Sequence, residues 1–151
     1  MVYQMAFHIT EHIDLEGESF PLQESYTYWT TLMEHYLKQA DTVEIHCWNE
    51  ETEVIEETRS QFRDSFIISR EGGLTRFEGS ITADVADHLL HNHLHKGGRL
   101  KWFTIFLSKA GEAIFHSEHW GTEFFTPHVT QQEMEFIKSV MPEETSYNQY
   151  E

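Results

Sequence analysis

Along the chain, apolar residues switch repeatedly between two spacings. Residues 2–15 alternate loosely and predict a first strand. After Pro21, the residues Leu22, Tyr26, Trp29, Met33, Tyr36 and Leu37 recur at helical spacing, which predicts an amphipathic helix over 22–39. The stretch TVEIHCW returns to period two, with Val43, Ile45 and Cys47 on one face and Glu44, His46 and Trp48 on the other, so it reads as a strand. Asn49 can accept a first-turn N–H, and the carboxylates of EETEVIEETRSQF favour the positive end of a helix dipole. A second helix is predicted there, with a hairpin partner for the preceding strand as the alternative. FIISREGGLTRF predicts a hairpin turning at Gly72 and Gly73, which take positive φ without a Cβ clash. Ser80 or Thr82 opens a third helix that Gly97 and Gly98 close. KWFTIFLSKAGEAIFHSEHW predicts a second hairpin turning near Ala110 and Gly111. Thr130 and Glu133 make a capping box for a last helix, TQQEMEFIKSVM.

The predicted order is therefore β-α-β-α-β-β-α-β-β-α. It implies an α+β fold, a mainly antiparallel sheet with helices packed on one side. The length of 151 residues suits one domain, residues 1–141. Residues 142–151 follow Pro142 without periodicity and read as a flexible C-terminal tail.

Composition narrows the class. Ten Lys and Arg stand against 26 Asp and Glu, a formal charge of −16 with neutral histidines. Such a surface repels phosphate backbones and anionic lipid heads, which argues against direct nucleic-acid binding and against membrane attachment. No apolar run approaches the roughly 20 residues of a membrane span, and MVYQMAFHITEHIDLE lacks the basic region of a signal peptide. Cys47 is the only cysteine, which excludes an internal disulfide and a cysteine-rich zinc site. A cytoplasmic setting is expected. Nucleophile elbows and glycine-rich phosphate loops are absent from the sequence.

The segment HLLHNHLHKGG holds four histidines within eight positions. At 100° per residue, Val85, Ala86, Leu89, Leu90, His93 and Leu94 share one arc, so His93 is expected to be partly buried. Asp84, Asp87, His88, His91 and His95 fall on the opposite, solvated arc. His88, His91 and His95, with Asp84 one turn earlier, have spacing that can converge on a divalent metal such as zinc or nickel. His116, Glu118 and His119 in HSEHW can add ligands if that strand end lies nearby. The competing reading, adopted here, is a polar helix face with no metal cofactor.

Two His-x-Thr triplets, FHIT with His8 and Thr10 and PHVT with His128 and Thr130, resemble the paired triplets of the 2H phosphoesterases. The resemblance implies two histidines flanking a phosphodiester as acid and base. A small hydrolase of that kind, or a metal-dependent one built on the histidine cluster, is the alternative function. Thr130, however, also serves as the helix cap.

The residual signal is a small acidic domain without a catalytic motif, which points to a protein-binding domain rather than an enzyme. Inhibitors and immunity or antitoxin proteins use carboxylates in this way, to capture a basic partner. Glu50, Glu51, Glu53, Glu56 and Glu57 are the expected contact surface, with Trp48 as an aromatic anchor.

Overall fold

The computed structural model describes residues 2–10, 12–15, 18–21, 26–95 and 98–150. In chain order the elements are β1 (Tyr3–Ile9), β2 (His12–Leu15), β3 (Glu18–Pro21), α1 (Thr27–Leu37), β4 (Thr42–Trp48), α2 (Thr52–Phe62), β5 (Phe66–Glu71), β6 (Leu74–Ser80), α3 (Ala83–His91), β7 (Thr104–Lys109), β8 (Glu112–Glu118), β9 (Glu123–Val129), α4 (Gln131–Val140) and β10 (Thr145–Tyr150). Eight strands form one antiparallel sheet in the order β10-β1-β9-β8-β7-β4-β6-β5, while β2 and β3 pair as a separate ribbon. The fold is a single-domain α+β structure. Among the described residues, no helix is long and apolar enough to cross a membrane.

Period-two alternation does most of the positioning. Val43, Ile45 and Cys47 are buried along β4, and Met5, Phe7 and Ile9 are buried along β1. These side chains share one core with Trp29, Leu32, Met33 and Tyr36 of α1. Trp29 donates its indole N–H to Ser117 Oγ on β8 at 2.9 Å, and Tyr36 stacks on Phe115 at 4.4 Å. Burial of each large apolar side chain contributes on the order of 1.5–3 kcal/mol. The helices therefore cover one face of the sheet, and the alternate residues of each strand remain on the other.

The element order departs from the expected one at several points. The first strand ends at Ile9, where Thr10 turns the chain by donating both its N–H and its hydroxyl to the carbonyl of Glu144. Helix α1 begins at Thr27; residues 22–25 of the expected helix lie outside the described residues. Strand β9 was hidden by Pro127, whose missing N–H breaks a ladder; a register shift between β1 and β9 accommodates it. Residues Thr145–Tyr150, expected as a tail, form the edge strand β10 and pair with β1 from Gln4 to Ile9. Helix α2 is capped at Glu51, not at Asn49, whose side chain instead accepts a hydrogen bond from Thr75 Oγ1 at 2.7 Å. The hairpin turn at Ala110 and Gly111 matches the expectation, with φ of 51° and 83°, as do the caps at Thr82 and Thr130.

Candidate functional site

The histidine helix is shorter than its apolar pattern. It ends at His91, because the next residues pair with one another instead of continuing the helical ladder. Lys101 N–H bonds His93 O at 2.8 Å, His95 N–H bonds Arg99 O at 2.7 Å, and Leu94 bridges Leu100. Gly98, at φ 89°, lies in this small hairpin; Lys96 and Gly97 lie outside the described residues. Two side-chain expectations change as a result. His88 is buried rather than solvated: its ring packs edge-on against Phe62 and Trp102. Burial, followed by the neighbouring Lys101 charge, lowers its pKa. His93 is half-buried, as its place on the apolar arc predicts, but beyond the helix end, where it stacks on Trp29 at 5.5 Å. Leu94 is exposed.

The expected metal ligands are correspondingly scattered. His88 is on the helix-covered side of the sheet, His91 is exposed beside Asp87, and His95 meets Glu53 at 3.3 Å. His116 and Glu118 lie on the uncovered side of β8, and His119 pairs with Glu123. Asp84 stands in the first turn of α3. Among the described residues, no three His, Cys, Asp or Glu side chains come together in a group able to hold a metal ion.

The same hairpin changes the acidic segment. Arg99 and Lys101 are both nearly buried, and they enter the acidic start and middle of α2. Glu51 is buried too, with 8% of its side chain exposed, and so is not available to a partner. Its carboxylate accepts from both terminal nitrogens of Arg99 at 3.3 Å, from the Trp120 indole at 3.2 Å and from the Trp48 N–H at 3.0 Å. Arg99 also stacks over the Trp120 ring. Burial raises the Glu51 pKa against the opposing pull of these hydrogen bonds and of Arg99. Glu57 pairs with Lys101, and Glu56 pairs with Arg59 at 2.9 Å. Glu50, Glu51, Glu53, His95 and Arg99 line a small depression at the start of α2. Four of the five expected contact carboxylates are thus partnered within the chain.

The two His-x-Thr triplets are not brought together. His8 lies opposite Glu123, while His128 stands five residues farther along β9, roughly 17 Å away at ~3.4 Å per residue. One phosphate cannot reach both imidazoles. Both threonine hydroxyls are also engaged structurally, Thr10 on Glu144 O and Thr130 as the cap of α4.

The sheet face that none of the described helices covers carries the arrangement that sequence reading missed. An aromatic stripe crosses four strands: Phe125 on β9, His116 on β8, Phe106 on β7 and His46 on β4, with ring centroids 4.5–5.5 Å apart. Beside it, two pairs of glutamates face each other in register, Glu118 with Glu123 and Glu44 with Glu78. Like charges directly opposite on neighbouring strands destabilise a sheet. Burial, with added repulsion from Glu123, raises the Glu118 pKa. Burial lowers that of His116. The glutamates have local donors: His46 Nε2 lies 2.5 Å from Glu44, His119 Nδ1 lies 2.8 Å from Glu123, and Arg76 lies 3.8 Å from Glu44.

Two depressions flank His116. One, of about 370 Å³, holds Glu44, Glu78 and Phe106; the other, of about 480 Å³, holds His8, Glu118, Glu123 and Phe125. Trp48, 38% exposed, lies on this same face of β4 and packs on Phe103 at 4.9 Å. The expected anchor therefore belongs to the sheet face and not to α2. The signal for it was present as the alternate positions of TVEIHCW, but the strand order was needed to read it. No protein-family model matches the chain, and no curated protein or solved structure is significantly similar to it.

Proposed function

We propose that this is an acidic protein-binding domain that captures a basic partner, in the manner of an inhibitor or an immunity or antitoxin protein. The observation that carries the reading is that two pairs of glutamates stand opposite each other in register on the open sheet face. Like charges opposite each other on neighbouring strands cost stability, as the repulsion of Glu118 by Glu123 illustrates, and a bound cation removes that cost. The overall charge of −16 supports steering of a basic partner toward the domain. Trp48 supplies apolar contact at one end of the face. A cytoplasmic setting belongs to the same reading, supported by the single, buried cysteine.

The test compares capture by wild type with capture by a variant carrying Glu44→Gln, Glu78→Gln, Glu118→Gln and Glu123→Gln. A protein recovered only by wild type is then purified and titrated at low and physiological salt. The expected result is a basic partner whose association slows as salt rises. Equal recovery by both proteins, or recovery of acidic proteins, overturns the reading.

A further inference from the structure

We infer that the two edges of the eight-stranded sheet join head to tail, β5 of one copy pairing antiparallel with β10 of a second copy. These edges lie apart from the glutamate pairs, so the contact does not depend on the function proposed above. Among the described residues, β5 and β10 each have a strand on one side only. All seven pairings in the sheet are antiparallel, so across eight strands the two edges run in opposite directions. A second copy set beside the first by translation therefore brings its β10 antiparallel to β5, with the helix-covered faces on the same side. Backbone groups are available for this. The tight turn at Gly72 and Gly73 makes Glu71 and Leu74 a hydrogen-bonded pair, so the N–H and C=O of Phe66, Ile68 and Arg70 point away from β6. Thr10 N–H bonds Glu144 O in the β1–β10 register, which turns the groups of Thr145, Tyr147 and Gln149 outward. Such rows template a further strand unless Lys, Pro or a bulge blocks the edge. Neither strand carries Lys or Pro, and neither pairing shifts register.

Charge selects a second copy as the occupant. Residues 59–76 hold Arg59, Arg63, Arg70 and Arg76 against Asp64 and Glu71, the reverse of the chain's overall balance. Residues 139–151 hold Glu143, Glu144 and Glu151 and no Lys or Arg. Arg70 is exposed and has no acidic partner among the described residues. Antiparallel alignment brings the Arg70 end of β5 to the start of β10, just after Glu143 and Glu144. Side chains fit as well. Ile67, 73% exposed, and Tyr150, 50% exposed, both stand on the open face of their edge strands. Setting them opposite each other places Arg70 opposite Tyr147 and Glu71 opposite Ser146, so no like charges meet. A head-to-tail contact leaves one β5 and one β10 unpaired at the ends, so the assembly grows instead of closing at a dimer. The charge of −16 opposes growth at low salt. At physiological strength, screening over about 8 Å damps that repulsion, while groups in direct contact still pair.

Sedimentation velocity of the full chain, from micromolar to millimolar concentration and at low and physiological salt, tests the contact. Wild type is expected to gain mass with concentration, and more so at physiological salt. Arg70→Pro blocks β5 and Gln149→Pro blocks β10. Each removes an outward N–H that neither β6 nor β1 uses, so circular dichroism should show both variants folded. Ile67→Glu and Tyr150→Glu, which put a charge on the exposed edge position, replace any proline variant that does not fold. Each blocked variant alone is expected to stay a monomer. Their equimolar mixture is expected to stop at a dimer, because it retains an intact β5 on one protein and an intact β10 on the other. Wild type that stays monomeric throughout overturns the inference without any variant. Self-association of either blocked variant alone assigns the contact to another surface or to two like edges, and overturns head-to-tail pairing. A mixture of folded variants that stays monomeric overturns it too.

Discussion

Two acidic regions of this molecule differ in how their carboxylates are arranged. Along α2, Glu51, Glu53, Glu56 and Glu57 each meet a group from the chain itself: Arg99, His95, Arg59 and Lys101. On the open sheet face, Glu118 stands opposite Glu123 and Glu44 opposite Glu78 in register, although Glu123 also pairs with His119 and Glu44 with His46 and Arg76. Carboxylate density along the sequence is higher in α2. Repulsion between carboxylates is instead arranged on the sheet. The difference teaches that an acidic run is a poor guide to a contact surface where cations distant in sequence fold onto it, as Arg99 and Lys101 do on α2.

The largest test of this contrast is Arg99→Met. Its removal leaves Glu51 buried without its ion partner, and breaking such a pair costs about 3–5 kcal/mol. Urea unfolding should show that loss, and a cost near zero would mean that Glu51 is not held by Arg99. Next in size is the pH response of His88, buried beside the Lys101–Glu57 pair. Its folded pKa lies below the unfolded value of 6.5, so its contribution is intact above pH 6.5 and lost as pH falls through the folded value. The slope reaches at most about 1.4 kcal/mol per pH unit for one proton. His88→Phe should flatten the decline between neutral and mildly acidic pH, measured by urea unfolding across that range. An unchanged slope would assign the decline to other groups.

Much of the fold was legible because apolar periodicity is a local signal. The buried residues of β4, the caps at Thr82 and Thr130 and the turn at Ala110 and Gly111 all depend on neighbours within a few residues. The strands that were missed fail that condition. Pro127 interrupts β9, and β10 is polar because it is an edge strand whose stability comes from pairing with β1. The site was less legible for the same reason. The contact between Glu51 and Arg99 spans 48 residues, and alignment of Glu118 with Glu123 requires the β8–β9 register. Trp48 was identified as an anchor, but its face follows from strand order and not from the acidic run beside it.

Smaller effects sharpen the contrast further. Glu118→Gln should stabilise the free domain by about 0.2–1 kcal/mol at neutral pH, through relief of the cross-strand repulsion. Because the folded pKa of Glu118 is raised, wild type should regain ground on the variant as pH falls through that value. Thermal unfolding of both proteins at neutral and acidic pH measures the effect, and a destabilised variant would remove the strain argument. Smallest of all is Glu53→Gln with Glu56→Gln, expected to change stability by less than about 0.5 kcal/mol each and to leave partner capture unchanged.

The central claim is that the open sheet face, and not α2, receives the basic partner. Nuclear magnetic resonance of isotope-labelled protein titrated with an arginine-containing synthetic peptide tests it most directly. The account predicts that the amide signals of Glu44, His116, Glu118 and Glu123 shift together, while those of Glu50, Glu53 and Glu56 stay in place. Movement of the α2 signals with a silent sheet face would contradict it.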